Sequence, residues 1–101
     1  MGKTARVEAL IASPPTQKCQ QMIGMLEGYI RQYPEKLRLI IYTRGVDFFP
    51  EDASGGMKTM FQKGSPVPTL VINGMFFSSN VVPDAEELDK RIQQVLENLE
   101  A

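Results

Sequence analysis

Apolar positions along the chain fall into short groups, each with its own period. Val7 to Ala12 (VEALIA) is a mostly apolar run closed by Ser13-Pro14-Pro15. Proline's fixed ring and missing N–H end a strand there. Cys19, Met22, Ile23, Leu26, Ile30 and Tyr33 then recur at helical spacing and form one stripe, which Pro34 stops. Gly24 and Gly28 lie inside this helix, each costing about 1 kcal/mol against Ala; close packing is one use for them. Leu37 to Thr43 (LRLIIYT) is rich in branched and aromatic residues and predicts a buried strand ending at Gly45. Val46 to Gly56 predicts a loop with Phe48-Phe49-Pro50 at its centre. Ala53, Met57, Met60 and Phe61 have helical spacing, weakened by Gly55-Gly56 and broken at Gly64-Ser65-Pro66.

Pro68 to Ile72, Asn73-Gly74, and Met75 to Ser78 carry the strongest local signal. Two apolar runs joined by Asn-Gly predict a hairpin with a type I′ turn, because both turn residues need positive φ. Asp84 as N-cap with Glu87 three residues later approximates a capping box. Leu88, Ile92, Val95, Leu96 and Leu99 then form one apolar stripe of a last helix. The order is β-α-β-α-β-β-α. A right-handed crossover should make the first two strands parallel. The expected fold is α/β, a four-stranded mixed sheet in the order 2-1-3-4 with helices on both faces, as one domain over residues 1–101.

Composition narrows the chemistry. The 101 residues carry eleven Lys/Arg and twelve Asp/Glu, a net charge of -1. That balance gives no electrostatic reason to expect nucleic acid or an anionic membrane as partner. There is no His, so a His-metal site, a Ser-His-Asp triad and a Cys-His pair are excluded. A single Cys excludes an internal disulfide and a multi-cysteine zinc site, and is compatible with a reducing, cytoplasmic location. No apolar run approaches the roughly 20 residues of a membrane helix. Met1 to Arg6 lacks a signal peptide's apolar centre. No cofactor and no metal are expected.

The element order and two local motifs resemble the thioredoxin/glutaredoxin family over nearly the whole chain. The first motif is Val67-Pro68-Thr69-Leu70-Val71-Ile72-Asn73-Gly74. It is similar to the family's segment in which a cis-proline opens the third strand, X–Pro bonds being the ones that adopt cis at low cost. The resemblance implies that Val67, before the proline, offers its backbone to an extended peptide by strand addition, with Pro68 and Thr69 beside it. The second motif is the family's Cys-x-x-Cys at the start of the first helix. Here it stands as Thr16-Gln17-Lys18-Cys19, with Thr16 in the place of the attacking cysteine and Cys19 in that of the resolving one.

Thr16 changes the chemistry. The dithiol cycle needs one thiolate to attack and a second to resolve. A hydroxyl's pKa lies far above a thiol's, and no His is present to activate it. As N-cap, Thr16 instead accepts from the N–H of Cys19. Monothiol relatives retain the first cysteine, so their chemistry is unsupported as well. Cys19 has two readings: a thiolate favoured by a helix start and by Lys18, or a buried small hydrophobe on the apolar stripe. The second is preferred. The expected function is therefore a non-catalytic module that binds an extended peptide or protein.

The alternative is a single-cysteine thiol enzyme, peroxidase- or reductase-like, using Cys19 with Thr16. Thr-x-x-Cys resembles the core of the peroxiredoxin motif Pro-x-x-x-Thr-x-x-Cys, although Ala12 stands where its proline belongs. Arg44 is a conceivable thiolate partner there. A third expectation is assembly through an exposed sheet edge. Phe48-Phe49-Pro50 is expected to fold onto the sheet, and Met57, Met60 and Phe61 to be core. Asp84, Glu86, Glu87 and Asp89 fit helix capping and no calcium loop. Gly55-Gly56 lacks the frame of a phosphate loop.

Overall fold

The computed structural model describes residues 4–45, 53–64 and 66–100. At its centre lies β1 (Ala5–Ile11), parallel to β2 (Leu37–Thr43) and antiparallel to β3 (Thr69–Ile72). β4 (Met75–Ser79) pairs antiparallel with β3, so the sheet runs β2-β1-β3-β4. This is the expected mixed sheet and strand order. A central strand with neighbours on both edges and helices on both faces buries nearly every side chain, so β1 reads as an apolar run without alternation. It begins two residues before the expected Val7. Ala5 donates its N–H to the Lys36 carbonyl at 2.9 Å and pairs with Leu37.

Three helices complete the described fold: α1 (Gln17–Gln32), α2 (Gly55–Gln62) and α3 (Ala85–Glu100). Val7, Ala9 and Ile11 of β1 point to the α1/α3 face. There they meet Cys19, Met22 and Leu26 of α1 and Leu88 and Ile92 of α3 in the larger core cluster. Glu8 and Leu10 point the other way, and α2 covers them with a smaller cluster of Leu10, Tyr42, Ala53, Met57 and Val71. Helices therefore lie on both faces. Met57 is core as expected, with Met60 and Phe61 half-buried against it. Asp84 accepts the Glu87 N–H at 3.0 Å, which is the cap expected for α3.

Several local expectations need correction. α2 starts at Gly55, inside the stretch to Gly56 expected as loop, because Ser54 caps it by accepting the Met57 N–H at 3.3 Å. The glycine pair that weakens this helix on paper has a packing reason at Gly56, where a Cβ would collide with the Gly74 carbonyl. Gly24 and Gly28 have none: beyond their own helical backbone, no atom lies within 4 Å of where their Cβ would stand. The hairpin turn is the one expected, with φ of 52° at Asn73 and 80° at Gly74. Its second strand runs one residue further, to Ser79, and contains a bulge. Leu70 opposes Ser78 while Val71 opposes Phe76, leaving Phe77 as the extra residue, turned toward the larger cluster. The Arg91 guanidinium lies 5.3 Å over the Phe77 ring. Phe48-Phe49-Pro50 lies outside the described residues. Among the described residues, no helix is long and apolar enough to cross a membrane.

Candidate functional site

The site is the end of the sheet where β1 runs into α1. Thr16 is extended (φ -76°, ψ 171°) and caps α1. Its Oγ1 accepts the Cys19 N–H at 3.2 Å and donates to the Cys19 Sγ at 3.1 Å. One hydroxyl thus satisfies an orphan donor of the first helical turn and also holds the sulfur. Cys19 itself is 0 % exposed and part of the larger core cluster. Burial pushes its thiol pKa up. The Thr16 hydroxyl and the backbone of Ala12, Thr16 and Cys19 pull it down, and the balance falls below the ordinary thiol value. The Lys18 ammonium goes elsewhere, donating to the Asn80 carbonyl at 3.3 Å.

That contact joins α1 to the residue just after β4, which in turn holds the residue before β3. Asn80 (φ 65°) donates its N–H to the Pro68 carbonyl at 2.8 Å while its own carbonyl receives Lys18. Val67–Pro68 is a cis peptide bond, as is Ser13–Pro14. Of the three residues expected to meet a peptide, Val67 fits best. Its side chain packs on both core clusters, and its backbone N–H and C=O make no hydrogen bond among the described residues. Pro68 is buried with its carbonyl taken. Thr69 is 0 % exposed; its hydroxyl donates to the Pro66 carbonyl at 2.6 Å and lies 3.0 Å from the Ser79 hydroxyl. Its backbone pairs with Leu10 on one side and Ser79 on the other. Thr69 therefore holds the segment in place and offers no edge.

Sequence reasoning passed over Glu8. It is fully buried in the middle of β1. Its Oε2 accepts from the Tyr42 hydroxyl at 2.9 Å and from the Ser54 N–H at 3.0 Å, whereas Oε1 is buried without a partner among the described residues. The signal was available: a carboxylate inside the central run of a two-sided sheet is seldom left unpaired. Tyr42 lies two positions along the neighbouring strand from Glu8's own partner, Ile40. Among the described residues, no group of three His, Cys, Asp or Glu is placed to hold a metal ion. Arg44, the conceivable thiolate partner, gives its backbone N–H to the Ile11 carbonyl at 2.9 Å, and its guanidinium lies beside Gly64. At the outer edge, Met75 and Phe76 of β4 are exposed.

No protein-family model matches the chain, and no curated protein does. A solved structure does. The chain is similar to the crystal structure of a protein of unknown function from Staphylococcus aureus, with a TM-score of 0.62 and 16% identity over 94% of each chain. At that identity the likeness speaks to the fold alone. It supports the arrangement of strands and helices across almost the full length.

Proposed function

We propose that this chain is a thioredoxin-like module that has kept the family's scaffold and given up its dithiol exchange, and that it binds an extended peptide or protein segment beside Val67. The observation that carries the reading is the Thr16–Cys19 pair. Where the family's attacking sulfur would stand, a hydroxyl caps the helix, and the remaining sulfur is fully buried behind it. A hydroxyl with no base to take its proton does not open a disulfide, and a thiol without solvent access does not meet one. The sheet order supports the scaffold half of the reading. The backbone of Val67, which makes no hydrogen bond among the described residues and precedes the buried Pro68, supports the binding half.

The test is an exchange assay on a model disulfide. The wild-type chain is expected to be inert, and Thr16→Cys to reduce the disulfide, because that change restores two sulfurs at the spacing of a helix start. A wild-type rate that vanishes in Cys19→Ser overturns the reading. For the binding half, titration with a panel of extended peptides should shift the backbone resonances of 66–68 and leave those of α3 in place.

One observation favours a second reading, in which Cys19 works alone with Thr16 as helper and an external thiol as reductant. The thiol pKa is lowered, by the hydroxyl of Thr16 above all other favourable contacts. Ionisation without access is insufficient, so the two readings separate on whether the folded chain is alkylated at Cys19.

A further inference from the structure

We propose that Glu8 is a latch for α2, and that α2 opens from the sheet as a unit when this carboxylate lets go. The proposal is independent of the peptide reading. Three observations carry it.

First, Glu8 is fully buried, and its Oε2 gathers the Tyr42 hydroxyl of β2 and the Ser54 N–H that precedes α2. One oxygen therefore ties the central strand, an edge strand and the start of the helix together. An anion placed at that end is favoured by the helix dipole as well. Second, Oε1 has no partner among the described residues although it is buried. A carboxylate oxygen stripped of water and left unpaired is unfavourable in the closed form and regains its hydration once the helix lifts. Third, α2 is eight residues long, begins with two glycines and rests on the smaller of the two clusters. A helix of that length has little stability of its own and depends on what it packs against. Closed and open forms are thus poised near each other, with a charged contact deciding between them.

Opening uncovers Leu10, Tyr42 and Val71 on the sheet and Met57 on the helix, while the α1/α3 face stays packed. Segments drawn from the low end of a protein's local stability behave in this way.

Amide hydrogen exchange on the intact chain tests the latch. In Glu8→Gln and in Glu8→Leu, the amides of 58–62 should exchange roughly tenfold faster or more, the loss of one charge-assisted hydrogen bond, while those of 22–30 and 92–96 keep their wild-type rates. If Glu8→Gln fails to fold, Glu8→Leu carries the comparison, since it removes the acceptor for the Ser54 N–H and places an apolar side chain of similar size in the buried position. Wild-type protection of 58–62 in the folded variants overturns the proposal. So does an equal loss of protection in all three helices, which would make Glu8 a support of the whole fold.

Discussion

At the scale of single residues, the proposed function turns on one hydroxyl and one thiol. Thr16 both caps α1 and steadies the Cys19 sulfur, so Thr16→Val should lower stability by about 1 kcal/mol in urea denaturation, the usual worth of a helix cap. The same change should raise the Cys19 pKa toward the ordinary thiol value by removing the largest of the favourable contacts. The pH dependence has a definite sign. A group whose folded pKa is depressed contributes stability that is complete above its unfolded pKa and fades as pH falls through the folded one. The urea midpoint of the wild type relative to Cys19→Ala should therefore climb as pH rises from the lowered folded value to the ordinary thiol value, and this climb should diminish in the Thr16→Val background. Thr16 as cap and Cys19 as core were legible in the sequence because both follow from position within a helix. Glu8 was not. Its partners Tyr42 and Ser54 lie far along the chain, and only the sheet and the seating of α2 bring them to it.

At the scale of elements, local signals located the strands and helices but could not separate one glycine from another. Gly56 sits against the turn of the hairpin, whereas Gly24 and Gly28 face open space. Gly56→Ala should cost about 1–3 kcal/mol as an overpacked contact. Gly24→Ala should raise stability by about 0.5–1 kcal/mol through helix propensity. Thermal melts of the two variants should move in opposite directions. Asn73-Gly74 was readable because its constraint is local: two positive φ values in a two-residue turn. The bulge that frees Phe77 was not, since it depends on how β4 settles against β3 and on Arg91 above the ring.

For the whole molecule, strand order followed from connection rules and from apolar runs that need two covered faces. The unequal division of the core did not follow, because period alone does not say how much surface each helix covers. Ile92, central to the larger cluster, should cost about 2–5 kcal/mol when cut to Ala, read from chemical denaturation. That is a large share of what holds a domain of this size together. The sealed larger cluster also keeps the sulfur from solvent, which makes thiol accessibility the most direct measure of the account. Alkylation of Cys19 in the native chain at neutral pH should proceed only as fast as the structure opens, far below its rate in denaturant. Labelling of the folded chain at the speed of a free, ionised thiol would contradict it.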